Sequence, residues 1–449
     1  MTKTMQLHAN TTHVVVGLGK TGVSCARWLR KQGIRFAAVD TRAQPPGFDG
    51  FRKEFAEVQV ECGELQAETL QQAKVLVMSP GVDPRASAIG KAVSKGVRLT
   101  GDVDLFARAA QAPLVAITGS NAKSTVTTLV GEMAKTAGRN VAVCGNIGTP
   151  VLDMLDAKHE LYVLELSSFQ LETTHELGAK VATVLNMSPD HMDRYDSMQA
   201  YHAAKHRIFQ GCEQIVVNRD DALTRPLVPS NVKVASFGLA NDDSREFAVV
   251  TRDGKPHLAW NREPLLPVDA LKIAGQHNVA NALASLALGK AAGLEFAPML
   301  QTLRSFAGLP HRCQWVRTLG GVRWYNDSKG TNVGASVAAI VGLGASGKVI
   351  LLAGGVGKGQ DFSGLAPVMR QHGSRAILFG EDAGKIETVL KPVVAVDRVD
   401  TLAAAVARAR AMASESEQVL LSPACASFDM FDNYEHRGDA FAQLVRALA

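Results

Sequence analysis

The sequence predicts an α/β protein built on parallel sheets and divided into three domains. Three observations carry that prediction. Short apolar, β-rich runs recur from one end of the chain to the other, and helix-patterned stretches lie between them. At 449 residues the chain is also too long for one ordinary hydrophobic core, which sets the expectation at two to four domains.

The runs fall into three series. HVVVG (13–17), RFAAVD (35–40) and VLVMS (75–79) form the first. LVAITG (114–119), VAVCG (141–145), LYVLELS (161–167), VATVLN (181–186) and IVVN (215–218) form the second. KVILLAGG (348–355), RAILFG (375–380), VVAVD (393–397) and VLLSP (419–423) form the third. Runs apolar on both faces belong to parallel sheets covered by helices. Helix periodicity marks 21–32, 124–137, 277–291 and 401–413. The segment 219–272 is different: it is polar, and EFAVVTRDGKPHLAW alternates, which predicts a small antiparallel β insert. The first series ends with GDVDLF near 101–106, and GLPHR at 308–312 precedes the last. The domains are therefore drawn at 1–101, 102–309 and 310–449.

Composition narrows the function. The chain is 46% hydrophobic and 20% charged, and its formal net charge of +5 is spread along its length. No like-charge block or basic stripe with interleaved aromatics points to nucleic acid, while small polyanionic substrates suit the mild positive balance. The opening MTKTMQLHANTT holds no secretory apolar segment, and no run approaches the ~18 residues of a membrane span. Six cysteines lie far apart without zinc spacing, as expected of reduced thiols in a cytoplasmic protein.

The most specific motif is TGSNAKST at 118–125, between a strand and a helix. Such a loop aims backbone N–H groups and a helix N-terminus at a phosphate, with Lys123 adding a point charge and Ser124 a hydroxyl for Mg²⁺. It departs from the usual form in Ile117 for the first glycine and Ala122 for the glycine before the lysine. GLGKTG at 17–22 satisfies the dinucleotide-binding pattern, and Asp40 ends the next strand. It reads as an NAD site, as a site for another nucleotide, or as a tight turn that lets a helix pack closely. SPGV at 79–82 ends another strand and could complete the same crevice.

In the second series Asn146, Glu165 and His191 sit at strand ends, where open α/β sheets bind ligands. Glu165 and His191 are candidate Mg²⁺ or substrate contacts. Their plain alternatives are a buried salt bridge and a packed or capping histidine. Lys205 in AYHAAKHRIF reads, by itself, as a solvated helix lysine. Asn278 and Asn281 share a helix face and could cap the helix or meet a base. PHR (310–312), NDSKGTN (326–332), GGVGKGQDF (354–362) and SPACASFDMFDNYEHRG (422–438) each follow an apolar run. Two readings of other classes remain on these grounds: an NAD-dependent dehydrogenase, and a regulatory ATPase that makes no bond.

In this order and over essentially the whole chain, the segments resemble the Mur ligase family, which makes peptidoglycan precursors. GLGKTG with DTR (40–42), CGNIG (144–148), ELSSFQLE (165–172), NDSKGTN and SPACASFD resemble the members that add D-glutamate to UDP-N-acetylmuramoyl-L-alanine. Sister ligases for L-alanine, a diamino acid or a dipeptide, and folylpolyglutamate synthase, are the neighbouring readings. The resemblance implies Rossmann-like first and third domains around a P-loop ATPase-like middle domain, with ATP and Mg²⁺ as cofactors. It implies a cytoplasmic, monomeric enzyme without membrane or nucleic-acid partners, working through an acyl phosphate. Lys20, Thr21, Asp40, Thr41, Arg42 and Gly81 would line the uridine diphosphate site, and Asn146, Ser167 and His191 would meet the muramoyl part. Gly119, Ser120, Asn121, Ala122, Lys123, Ser124 and Thr125 would hold the ATP phosphates, with Asn278, Asn281, Arg312, Asp327 and Lys329 on the rest of the nucleotide. Lys205 would be carbamylated and, with Glu165, Ser124 and His191, would serve the metal. Thr331, Lys358, Ser427, Phe428 and Tyr434 would receive D-glutamate. Lys123, His191 and Lys205 would be the catalytic residues.

Overall fold

The computed structural model describes residues 4–239, 246–273, 275–344 and 347–449, and the apolar runs become strands of three sheets. The first sheet holds β1 (His13–Val16), β2 (Phe36–Asp40), β3 (Val60–Cys62), β4 (Val75–Met78) and β5 (Arg98–Gly101) in the order β3-β2-β1-β4-β5. All its pairings are parallel. This is the doubly wound order whose ligand crevice opens beside the first strand, outside the carboxyl ends of β1 and β4.

The middle sheet contains β6 (Leu114–Thr118), β7 (Val141–Gly145), β8 (Leu161–Glu165), β9 (Val181–Val184), β10 (Gln214–Asn218), β11 (Lys233–Phe237), β12 (Phe247–Arg252), β13 (Lys255–Trp260) and β14 (Glu263–Pro267). Its order is β14-β13-β12-β11-β10-β9-β6-β8-β7, so β6, which feeds the phosphate loop, lies between β8 and β9. The polar segment expected as an insert continues this sheet. Strand β11 runs parallel to β10, and the antiparallel ladder begins only at β12. Alternation identifies the hairpin strands β12 and β13, but KVASF of β11 is too short and too flanked by polar residues to stand out. Residues 240–245 of that segment lie outside the described residues.

The third sheet is β15 (Gln314–Leu319), β16 (Val322–Asn326), β17 (Val349–Ala353), β18 (Gly373–Leu378), β19 (Ala395–Arg398) and β20 (Gln418–Leu421), ordered β15-β16-β20-β17-β18-β19. Only β15 with β16 is antiparallel.

The cores are distributed unevenly. One apolar cluster runs from Val15, Leu29 and Phe55 beneath the first sheet to Leu164, Ala182 and Ile215 of the middle sheet. Phe106 and Tyr162 meet edge-on across that seam at 5.0 Å, and burying each ring is worth about 1.5–3 kcal/mol. The third sheet keeps separate clusters on its two faces, around Leu351 and Trp324. Helices Lys20–Lys31, Lys123–Thr136 and Gln276–Ala292 lie close to the expected spans.

Candidate active site

The phosphate loop turns on two left-handed residues, Gly119 at φ 155° and Ala122 at φ 66°. Ala122 thus adopts the backbone that glycine favours, and the helix Lys123–Thr136 starts directly after it. The loop is tied to the chain after β9: Asn121 N donates to Asn186 Oδ1 at 2.8 Å, and Ser120 Oγ to Ser188 O at 2.8 Å. Lys123 Nζ donates to the carbonyls of Gly119 (2.8 Å) and Ser120 (2.9 Å).

Lys205 overturns its plain reading. It lies on the helix Met198–His206 but is 1% exposed, because its face of the helix packs under the phosphate loop. Its Nζ donates to Gly119 O at 2.9 Å and Thr118 Oγ1 at 3.3 Å, and among the described residues no carboxylate pairs with it directly, Asp190 and Glu165 acting only from a distance. Burial, reinforced by the charge of Lys123, pushes its pKa well below the ordinary lysine range. A lysine shifted in this direction gives up its proton more readily, and the amine so formed is a nucleophile rather than a point charge.

Glu165 ends β8 almost fully buried. Its Oε1 accepts from Asn146 Nδ2 at 2.9 Å, and its Oε2 is buried without a hydrogen-bond partner. An orphaned carboxylate oxygen is costly, and a cation would satisfy it. His191, at φ 57°, packs edge-on against Phe169 at 4.8 Å, with Nε2 3.7 Å from Asp190 Oδ2. Burial lowers its pKa in spite of Asp190, so the ring is neutral at neutral pH. Among the described residues no group of three or more His, Cys, Asp or Glu is arranged to hold a metal. A divalent ion here would draw on Glu165, Ser124, His191 and, if carbamylated, Lys205.

The third domain closes the other wall. Asp327 accepts from Cys313 N (3.0 Å) and Ser422 Oγ (2.7 Å), and burial pushes it up to about 6. Lys329 Nζ sits 3.9 Å over the Tyr434 ring, and burial brings it down to about 8. Lys358 Nζ reaches Asp190 Oδ1 at 3.5 Å, and Asn332 Nδ2 donates to Asn121 Oδ1 at 3.1 Å and Asp190 Oδ2 at 3.2 Å. These contacts join the third domain to the middle one. One cavity of about 780 Å³ takes in Ser120–Thr125, Asn146, Glu165, Ser167, His191, Lys205, Asn278, Asn281, Arg312, Asp327, Lys329, Thr331, Lys358, Ser427, Phe428 and Tyr434. Gly119 serves it through the carbonyl that both lysines share.

A second cavity, of about 480 Å³, opens where the first sheet predicts a ligand. Lys20, Thr21, Asp40, Thr41, Arg42 and Gly81 line it. Asp40 accepts from Leu18 N (2.7 Å), Arg42 N (2.9 Å), Arg42 Nε (2.8 Å) and Arg42 Nη2 (2.8 Å), so it holds the glycine turn and Arg42 in place. Burial raises its pKa, but these donors outweigh burial and hold the carboxyl below its usual range. Gly22 packs directly on Gly17 O, where a Cβ would collide, so the close-packing reading of GLGKTG is also true. Asn146 lines both cavities. The sequence singled out neither Gln170, in the second cavity, nor Asp190 and Asn332, in the first, although Gln170 and Asn332 lie inside ELSSFQLE and NDSKGTN and Asp190 directly precedes His191.

The comparisons with known proteins agree along the chain. It matches three family descriptions in succession: Mur ligase MurD-like, N-terminal domain (11–101), Mur ligase middle domain (117–289) and Mur ligase, glutamate ligase domain (311–425). It is 57% identical over 438 residues to a UDP-N-acetylmuramoylalanine–D-glutamate ligase of Pseudomonas aeruginosa, covering 97% of this chain and 98% of that one. It is 52% identical over 441 residues to a protein of the same name in Acinetobacter baylyi, covering 97% and 98%. Among solved structures it is similar to the UDP-N-acetylmuramate–alanine ligase of Thermotoga maritima (TM-score 0.59, 18% identity, 97% of this chain and 99% of that one). It is also similar to MurF of Acinetobacter baumannii (TM-score 0.61, 15% identity, 98% and 92%). At those identities the solved structures speak for the fold alone.

Proposed function

The chain belongs to the Mur ligase family, and we propose that it adds D-glutamate to UDP-N-acetylmuramoyl-L-alanine in peptidoglycan precursor synthesis. It is an ATP-dependent carboxylate–amine ligase acting on small molecules, and its product feeds wall growth, cell shape and division. The observation that carries the reading is the pair of cavities meeting at Asn146. A nucleotide sugar can lie with its uridine diphosphate in one and its free carboxylate in the other, beside the phosphate loop. The working division is 1–101 for the nucleotide sugar, 102–309 for ATP and 310–449 for the amino acid. We read the enzyme as a cytoplasmic monomer; among the described residues no helix is long and apolar enough to cross a membrane.

The alanyl carboxylate attacks the γ-phosphorus of ATP. Lys123 stands at the helix start to neutralise charge on the phosphoryl oxygens, and the loop amides orient them. Mg²⁺ is the ion that fits the orphaned Glu165 oxygen; bound there with Ser124, His191 and a Lys205 carbamate, it would supply charge neutralisation. The amine of D-glutamate, received by Thr331, Lys358, Ser427, Phe428 and Tyr434, then attacks the acyl phosphate. When its ring is not bound to the ion, His191, which is open to the cavity, is one candidate to accept the ammonium proton. Lys358 and Asn332 draw the third domain over the site and limit the water that would hydrolyse the acyl phosphate.

The test is phosphate release by the purified protein with ATP and Mg²⁺, adding UDP-N-acetylmuramoyl-L-alanine and amines one at a time. Release that needs both the nucleotide sugar and D-glutamate is expected. Release with a different amine would keep the ligase and overturn the acceptor, and no release with any pair would overturn the reaction.

A further inference from the structure

We propose that Asp102 is a positioning residue which, through Gln170, fixes the Ser167 hydroxyl as a hydrogen-bond acceptor toward the nucleotide sugar. The inference rests on the function proposed above and extends it to a residue outside both cavities.

Asp102 opens the helix Asp102–Ala109, at the junction of the first and middle domains, and is 2% exposed. It lies close to the helix Ser168–Glu172 because the preceding residue is glycine: a Cβ on Gly101 would collide with Thr173 Oγ1. Its Oδ2 accepts from Gln170 Nε2 at 3.0 Å. The other end of that amide is equally committed. Gln170 Oε1 accepts from Ser167 N at 3.2 Å and from Ser167 Oγ at 3.2 Å, while Gln170 N donates to Ser167 Oγ at 3.2 Å.

The direction of each bond follows from what each group can do. A backbone N–H only donates, so Gln170 Oε1 must face Ser167. An ionised carboxylate only accepts, so Gln170 Nε2 must face Asp102. Burial, eased by Gln170 and the first-turn amides, raises Asp102 to about 6, which leaves it ionised at neutral pH. The titratable groups facing it are the thiols of Cys25 and Cys144, both kept protonated by burial. Ser167 has therefore spent its one proton on Gln170 and presents only a lone pair to the cavity that it lines. The matching chemistry on the ligand is an amide N–H, which the N-acetyl and lactyl–alanyl groups of the nucleotide sugar carry. Without Asp102 only the Ser167 N–H still holds the amide; Nε2 loses its buried acceptor, the Gln170 side chain can move away from Ser167, and the serine hydroxyl is then free to present its proton instead.

The experiment measures KM for each of the three substrates by phosphate release. Asp102→Leu is expected to raise KM for the nucleotide sugar about tenfold, the scale of one misdirected hydrogen bond, with the other two KM values within about twofold. Asp102→Asn, which can still offer an acceptor, should stay close to wild type. A Gln170→Leu, Asp102→Leu double variant should be no worse than the poorer single one, because the two act through one chain. If Asp102→Leu does not fold, Asp102→Ser, too short to reach Gln170, takes its place. Unchanged KM values in a folded variant, an equal rise for all three substrates, or an Asn variant as poor as Leu would each overturn the proposal. Wild-type release that does not depend on the nucleotide sugar would instead overturn the function on which it rests.

Discussion

At Ala122 a side chain occupies backbone that costs an ordinary L-residue roughly 1–2 kcal/mol, while glycine costs about 0.5–1 kcal/mol in unfolded-state entropy. Ala122→Gly should therefore raise stability by up to about 1 kcal/mol in calorimetric melting and leave KM for ATP unchanged. Lys205→Ala and Lys123→Ala should each lower the rate of phosphoryl transfer by a factor of about 10² or more, read as ADP formation. Asp327 gives a pH prediction. Its folded pKa of about 6 lies above the ordinary ~3.9, so the stability it contributes is complete below pH ~4 and lost as pH rises through about 6. Asp327→Asn should remove a loss of up to roughly 3 kcal/mol across that window, seen as a flatter dependence of Tm on pH. The sequence makes the phosphate loop readable because its chemistry is contiguous. It hides the burial of Lys205, and it hides the Lys358–Asp190 and Asp102–Gln170 contacts, because those pairs are far apart in the chain.

Among elements, the first strand–turn–helix unit makes the sharpest demand on sequence. Gly22 lies on Gly17 O, and Ser79 Oγ donates to the same carbonyl at 2.9 Å, which ties the two loops of the second cavity together. Gly22→Ala should prise the helix Lys20–Lys31 off the turn and weaken uridine nucleotide binding by at least about tenfold in titration calorimetry. Strands such as β6, β8 and β17 are visible in the sequence because both faces are buried and, apart from Thr118 and Glu165 at the ends of β6 and β8, every position is apolar or aromatic. Strand β3 is three residues long, and the half-exposed β15 is broken up by Gln314, Arg317 and Thr318, so neither rises above its surroundings. Polar runs at strand ends stand out as candidate ligand loops because parallel sheets bring those ends to one edge.

The whole molecule is two bodies by its cores. The first and middle domains share one apolar cluster, whereas the third keeps its own and meets the middle domain at the cleft through the polar contacts of Lys358 and Asn332. Relative motion is the expectation where domains share no apolar core, so the third domain should move as a unit. ATP with the nucleotide sugar should narrow the small-angle scattering envelope, and an unchanged envelope with all ligands would count against closure. Lys358→Ala should raise KM for D-glutamate about tenfold and blunt the scattering change. Domain number was legible because length and strand series set it; the unequal seams were not, since they depend on which sheet faces meet.

The buried amine beneath the phosphate loop has a consequence beyond its own rate. An uncharged lysine reacts reversibly with dissolved carbon dioxide, and the adduct persists only while the gas is in supply. If Lys205 carries that adduct, the active fraction of this enzyme is set by the inorganic carbon around it. Protein held in degassed, mildly acidic buffer should lose activity slowly and regain it on adding bicarbonate, with ¹³C-bicarbonate leaving a carbonyl resonance absent from Lys205→Ala. Wall synthesis would then depend on inorganic carbon that respiration supplies, without consuming it.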